Sequence, residues 1–538
     1  VLDNLRSGTR RIDRSLLFFC GLILAATVLY PTVRLLVQAM AVWSPEALRG
    51  PAGWAAVRNT LLISLGSVAL AGFFGTGLAV LLARYRFPGA RALAIAAYLP
   101  FSLPPLVGTL AFYYLIGRDG LFPRMATQLF GMEDAAIPGP WAILLIHAYS
   151  FYVLYYAMVG PAVAALDHSQ TEAARTLGAG PWRTFFHVTL PQLRPALIGA
   201  SLLTFMSSAA SFSAPYFFGQ DFPVLSVQIY NERTAYNESA ALTLTVVLAV
   251  VSLFGVLVFR SSRTRPSRAG KGVAAPLRAR GARWAGGILA WTLVAALLLP
   301  HLTIVWLSLI DYRQWSTELI PTAFSLQNYT TLFQDARSFA PIRSSLWMSA
   351  VATVAAVAVA LPAAYLIGRR RAGAPALNLL VMLPWALPGT VIAINLIVAF
   401  NDRWMPLYNT IWMLPLAYFV RNVPLMTRMA TAAIEPFDAT LIEAARTLGA
   451  TPAHAFRRIV LPLLAPAIGA GMALVFATSL GEFVASILLY VPANLPIAIQ
   501  INMAWRADVG IAFAYSVLLM ALVGITFYLA RRLTGRVL

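Results

Sequence analysis

The sequence predicts an all-α integral membrane protein of about twelve transmembrane helices, built as two tandem, parallel six-helix repeats. Three observations carry this. Of the 538 residues, 59% are hydrophobic and 11% charged, with a mean hydropathy of +0.74, whereas a soluble domain carries about 25% charge. Apolar runs of about 20 residues, the length that crosses ~30 Å of hydrocarbon, recur along the whole chain. The eight letters EAARTLGA occur twice, beginning at Glu172 and at Glu443, 271 residues apart. Each copy is preceded at the same spacing by an aspartate (Asp167, Asp438) and followed by a Leu-Pro pair (Leu190-Pro191, Leu461-Pro462). An identity of that length in matching contexts marks two homologous halves. The runs are apolar all round, which excludes the alternation of a β-barrel.

The spans are expected near 15–39, 60–83, 91–116, 141–165, 195–217 and 241–259, then near 284–310, 345–368, 374–400, 409–430, 465–488 and 511–530. The first has basic flanks but is long and lacks a small-residue cleavage site, so it reads as a retained span, not a signal peptide. Arginine sets the orientation. Arg6, Arg10, Arg11 and Arg14, then Arg84, Arg86 and Arg91, then Arg369, Arg370 and Arg371, then Arg531, Arg532 and Arg536 fall on one side, together with both repeated segments. The opposite loops hold acids such as Asp119, Glu133, Asp134, Asp221, Glu232, Glu238, Asp311 and Glu318. The positive-inside rule then places both termini and both repeats in the cytoplasm. The net charge of +20, with Lys271 the sole lysine, follows from this topology and not from nucleic-acid binding.

The division is a first unit at 1–259, a basic cytoplasmic linker at 260–283 suited to anionic headgroups, and a second unit at 284–538. The halves match elsewhere too. Leu99-Pro100 and Leu103-Pro104 answer Leu383-Pro384 and Leu387-Pro388, and Asn59-Thr60-Leu61 aligns with Ser344-Ser345-Leu346. Six spans is an even number, so both halves enter from the same side, with a path expected at the seam.

Within each repeated segment the residues predict two short helices with a bend. Glu172, Ala173, Ala174, Arg175 and Leu177 form the first, Gly178 permits a left-handed turn, and Pro181 suits a new first turn. Trp182, Phe185 and Phe186 continue as an aromatic face, and Pro191 is expected to stop the second helix. Glu443, Ala444, Ala445, Arg446, Gly449, Pro452, Phe456 and Pro462 repeat the design. A helix pair that merely lies on lipid explains the amphipathicity. It does not explain the matched Glu and Arg or the alanine pairs, which fit docking of two copies of one soluble partner.

The pattern Glu-Ala-Ala, three residues, Gly, nine residues, an aliphatic residue, one more, then Leu-Pro resembles the cytoplasmic loop of permease subunits of ATP-binding-cassette importers. Glu172, Ala173, Ala174, Gly178, Val188, Leu190 and Pro191 carry it, and again Glu443, Ala444, Ala445, Gly449, Ile459, Leu461 and Pro462. With two six-span units, the resemblance covers essentially the whole chain and extends to the fused two-unit permeases of binding-protein-dependent uptake, such as those for ferric iron or thiamine. It implies permease repeats with cytoplasmic coupling helices, docking of two ATP-binding-cassette ATPase subunits, delivery by a periplasmic or extracellular binding protein, and a place in the bacterial cytoplasmic membrane. The chain has no G-x-x-x-x-G-K-[ST] loop, so ATP is expected on the partner, with no cofactor or catalytic residue here. By this analogy ferric iron is the first expected cargo, with thiamine or an oxyanion as alternatives.

For the path, intramembrane polar groups are the candidates. At the 271-residue offset Ser207 meets Thr478, Ser208 meets Ser479, and Ser211 meets Glu482, with Ser213 close by. This suggests a serine cluster in one half and a carboxylate in the other. The alternative is structural: serines as interhelical glue, and Glu482 bonded to backbone amides at a helix break. His147 reads as a packing residue, while Asn395 and Asp402 are candidates to flank the outer mouth. The five histidines and lone Cys20 share no metal-ligand spacing, so iron would pass chelated or hydrated. A transporter driven by an ion gradient would need charges inside several spans, and Glu482 is the one that stands out. A membrane enzyme would need a clustered catalytic set, which the sequence does not offer.

Overall fold

The computed structural model describes residues 2–132, 135–166, 168–259, 275–276, 279–403, 405–436, 438 and 440–534. Glu133, Asp134, Asp167, Arg536 and most of the 260–283 linker, Lys271 included, lie outside the described residues. The long helices are, in chain order, α1 (Ile12–Ala41), α2 (Pro51–Arg84), α3 (Gly139–Ala164), α4 (Leu190–Ala209), α5 (Glu238–Phe259), α6 (Arg280–Ser308), α7 (Ala336–Gly368), α8 (Met413–Ile434), α9 (Leu461–Leu480) and α10 (Val509–Thr534). Regular strand among the described residues is limited to a parallel pairing of Tyr85–Arg86 with Ala275–Pro276.

Of the twelve expected spans, eight are helices long and apolar enough to cross a membrane, and two more are bent pairs. The expected spans 91–116 and 374–400 are not straight. Ala90–Ser102 meets Pro105–Phe130 at 107°, and Ala374–Ala386 meets Gly389–Phe400 at 111°. The repeated Leu-Pro motifs cause the bend. Leu103 and Leu387, each just before a proline, take extended backbone, and the proline ring then starts a new helix. The remaining two expected spans fall on α4 and α8, of 20 and 22 residues. Both are less apolar: α4 carries Gln192 and Arg194, and α8 carries Arg421, Asn422 and Arg428. Two expected spans are also interrupted near their far ends, 195–217 at Ala210–Phe212 and 465–488 at Gly481–Ala485.

The chain packs as two compact units, residues 44–324 and residues 1–43 with 325–538. The first helix of each sequence half therefore belongs with the other half's body. Inside the second of these units, α1 is tied to α7 and the loop after it. Cys20 Sγ donates to the carbonyl of Val359 at 3.6 Å, and Asp13 pairs with Arg371 at 3.4 Å. Nearer the other end of α1, Arg34 pairs with Asp402 at 3.2 Å. Inside the first, α6 packs Ala290 and Val294 onto Phe87, Leu93 and Ala96. The Tyr149 hydroxyl donates to the carbonyl of Leu297 at 3.1 Å, and Ser102 Oγ hydrogen-bonds His301 Nε2 at 3.0 Å. The Asn-Thr-Leu and Ser-Ser-Leu alignment acquires a reason here. Thr60 Oγ1 accepts the N–H of Leu225 at 3.0 Å and Ser345 Oγ that of Ile497 at 2.8 Å. Each is thus the first-turn acceptor for a short helix of its own unit, Leu225–Thr234 and Ile497–Ala504.

This packing dictates where the chain tolerates division. Residues 44–324 expressed alone are expected to give a monodisperse peak on size exclusion in detergent. Residues 1–259, cut at the linker, lack α6 and leave α1 without its neighbours, and are expected to aggregate.

Candidate functional site

The two repeated segments form matching elbows. In the first, helix His168–Thr176 ends where Gly178 turns left-handed at φ +80°. The N–H of Ala179 bonds the carbonyl of Ala174 at 3.0 Å, and that of Gly178 bonds Arg175 at 2.9 Å, so a pair of crossed bonds closes the helix end. In the second, helix Thr440–Thr447 ends at Gly449, φ +85°, with Ala450 N–H on Ala445 at 3.0 Å. The threonine of each copy folds back on its glutamate carbonyl, Thr176 on Glu172 at 2.6 Å and Thr447 on Glu443 at 2.7 Å. Any residue with a Cβ is disfavoured at the two glycines, which is why both copies keep glycine there.

Beyond the bend, Pro181–Thr184 and Pro452–Ala455 begin second helices. Pro191 and Pro462 do not stop them. A π turn at Phe185–Thr189 or Phe456–Val460 carries each straight into α4 or α9. The proline ring crowds the carbonyl four residues back, and one wider turn relieves this while leaving a carbonyl without its usual partner. In the first elbow, Gln192 Nε2 donates to the carbonyl of Val188 at 3.0 Å. The second helix of each elbow and the span behind it are thus one continuous rod.

The elbows are exposed. Glu172, Ala173, Arg175, Glu443 and Ala444 are open, and Ala174 and Ala445 are partly covered; the Arg446 side chain lies outside the described ones. Leu177 and Leu448, at the apices, are 88% and 89% exposed. Leu177 is expected in the first helix of its elbow, but the exposure of the two leucines is not foreseen from the sequence. Trp182 and Phe186 stack at 6.3 Å and are also exposed, whereas the matching second-copy positions hold Ala453 and Arg457. Asp438 Oδ1 accepts the N–H of Thr440 at 2.9 Å, which holds its carboxyl below the usual aspartate range. A carboxylate with a depressed pKa adds stability above its unfolded pKa and loses it as pH falls through the lowered one. Protection of the Thr440 amide, relative to its intrinsic exchange rate at each pH, is therefore expected to hold through neutral and mildly acidic pH and to fall only in strong acid. Asp438→Asn is expected to blunt that acid response.

Inside the units, polar clusters sit where α4 and α9 break. In residues 44–324, buried His147 of α3 bonds Ser67 (2.9 Å) and Ser208 (3.0 Å) through Nδ1, and Ser211 (2.8 Å) through Nε2. Both ring nitrogens are satisfied. Of the serines singled out, Ser208 and Ser211 join this cluster, Ser207 is exposed and outside it, and Ser213 is buried at the start of helix Ser213–Phe218.

In the other unit, Glu482 is 5% exposed and both its oxygens are engaged. Oε1 accepts the N–H of Ala485 at 2.8 Å, and Oε2 pairs with Arg421 Nε at 3.0 Å. Tyr418 bonds Ser486 at 2.8 Å, whose hydroxyl donates to the carbonyl of Glu482 at 2.7 Å. Asn422 links Ser479 (3.1 Å) and Thr478 (2.8 Å). Sequence reasoning missed Arg421, Asn422 and Tyr418. The signal was present: the 271-residue offset sets Tyr418 against His147, and Arg421 is a charge inside an apolar run. Asp402 and Asn395, candidate mouth residues, both bond α1, Asp402 through Arg34 and Asn395 through Thr32 at 3.4 Å. Glu482→Gln keeps an acceptor for Ala485, whereas Glu482→Leu strands a buried N–H and a cation. Thermal melts in detergent are expected to rank wild type above Gln and Gln above Leu, with about 1–3 kcal/mol for the stranded amide alone.

Helical units, each with a glycine-hinged elbow running into a span that breaks at a polar cluster, fit a membrane transport permease. The chain belongs to the family of binding-protein-dependent transport system inner membrane components, whose model matches residues 75–266 and 352–538. Both matches start after the exchanged helices α1 and α6. The chain is 28% identical over 503 residues to a probable ABC transporter permease, y4fN, of Sinorhizobium fredii, covering 89% of this chain and 88% of that one. It is 26% identical over 529 residues to the Fe(3+)-transport system permease FbpB 2 of Haemophilus influenzae, covering 96% and 97%. One half is 32% identical over 273 residues to the sulfate transport system permease CysT of Escherichia coli, covering 49% of this chain and 94% of that one.

Proposed function

We propose that this chain forms the translocation path of an ATP-driven uptake system and couples it to two copies of a separate ATPase through the elbows at Glu172–Gly178 and Glu443–Gly449. The observation that carries the reading is the pair of apical leucines, each almost fully exposed on a rigid, hinged helix end. An exposed apolar apex ringed by a glutamate, an arginine and small alanines suits insertion into a cleft of a soluble partner. Because the second helix of each elbow continues through a π turn into α4 or α9, a push passed across the glycine bend reaches the polar break above it. Positive-inside logic places elbows and termini in the cytoplasm, and a binding protein delivers cargo to the opposite mouth. The full-length likeness to a ferric permease makes ferric iron the leading cargo. The half-length likeness to a sulfate permease supports an oxyanion as the second reading.

Glu172→Lys and Gly178→Asp test the coupling. Both variants are expected to insert and fold, while uptake of radiolabelled ferric citrate or sulfate by cells carrying the whole system drops about tenfold or more, in step with loss of ATPase copurification. Undiminished uptake with ATPase still bound would refute the docking role. Uptake that survives collapse of the proton gradient but follows internal ATP separates this reading from a gradient-driven carrier.

A further inference from the structure

We infer that α8 lines the cargo path with a positively charged stripe, Arg421–Leu425–Arg428, so that the cargo crosses as an anion: an oxyanion or an anionic metal chelate. The inference rests on the permease reading and names its substrate class.

The burial pattern of α8 is the first support. Lipid-facing helices show apolar exposure, as α2 does at Leu62, Leu65, Phe73 and Phe74. By contrast α8 is buried on nearly every side from Met413 to Thr431. Over that stretch Arg428 is exposed, and Leu416, Arg421, Leu425 and Met429 are partly open. Arg421, Leu425 and Arg428 stand at i, i+4 and i+7, on one face. Arg421 lies about 12 Å along the helix from its Met413 end and about 20 Å from its other end, well inside a hydrocarbon layer. A charge at that depth faces the bundle interior or an aqueous cavity, not lipid. The Arg421 side chain keeps 36% of its surface open, so protein does not seal this face.

The polarity of the Arg421–Glu482 pair is the second. The carboxylate is the buried end, held by Ala485 N–H and Arg421 Nε, and the guanidinium is the open end. Gly389, at the start of the second arm of a bent pair, makes room for it: a Cβ there would collide with Arg421 Nη1. Arg428, about two helical turns on, adds a second cation, and its Nε hydrogen lies toward Met382 Sδ at 3.2 Å. The next acid on this face, Glu435, is past the helix end. At the matching positions α3 has Ser150, Leu154 and Ala157, so the charge belongs to one half only. A fixed, half-open guanidinium presents a planar fork of donors, the geometry that reads carboxylates and oxyanions.

A cysteine probe tests this without knowledge of the cargo. Leu425→Cys is introduced with Cys20, the buried native thiol, replaced by alanine, and membrane vesicles carrying the whole transporter are labelled with anionic sulfonatoethyl or cationic trimethylammonioethyl methanethiosulfonate, with and without ATP. Relative to a small free thiol, the anionic reagent is expected to be favoured about tenfold or more, the focusing a charged cleft produces. The preference is expected to persist with both arginines changed to lysine and to vanish with both changed to glutamine. Protection of the introduced thiol from both reagents in either condition, a cationic preference, or a bias unchanged in the glutamine variant would overturn the inference. So would ATP-dependent uptake of a cation such as thiamine. Labelling needs no coupling to the ATPase, so a failed elbow test and a failed labelling test are separate outcomes.

Discussion

A helix that stops within hydrocarbon leaves amides and carbonyls with no water to meet them, and the interior breaks of α4 and α9 are answered by side chains. Glu482 Oε1 takes the amide of Ala485, Ser486 returns a hydroxyl to the carbonyl of Glu482, and Ser226 Oγ donates to the carbonyl of Ser211 at 2.6 Å. The polar clusters are therefore first of all conditions for the breaks to exist. Only because α4 and α9 can end at those points do short helices such as Ser213–Phe218 and Ser486–Leu489 follow. Function is layered on that requirement. In one unit the cluster closes on itself around His147. In the other it uses a carboxylate, and that carboxylate needs Arg421.

The elbows obey a second constraint, that of direction. A left-handed glycine fixes the angle of entry, crossed backbone bonds lock it, and a π turn passes the proline without a joint. The two copies share this backbone to within a few degrees at Gly178 and Gly449 but differ in surface chemistry, aromatic in one and basic in the other. Like geometry with unlike decoration is what a duplicated unit keeps when its backbone is constrained more tightly than its surface.

Much of this was legible in the letters. The octet repeat, the matched Leu-Pro motifs and the apolar runs specified membrane helices in two copies, and the glycine and proline positions specified the elbows. What escaped had physical reasons. The bends at Leu103-Pro104 and Leu387-Pro388 look like continuous spans because hydropathy is blind to direction. Arg421 was overlooked because a charge next to apolar residues reads as a loop edge until its partner, sixty-one positions on in the sequence, is seen in contact with it. The exposure of Leu177 and Leu448 was not legible because leucine in a helix suggests core, and only coordinates show it standing in the open.

The exchange of first helices bears on how the protein is made. α1 leaves the ribosome well before its bonding partners, such as Val359, which lies 339 residues beyond Cys20. At ordinary elongation speeds of about 5–20 residues per second, it waits in the bilayer for roughly 17 to 70 s before its neighbours arrive. Residues 44–324 are all synthesised during that interval, so the intervening unit can assemble before α1 meets its neighbours.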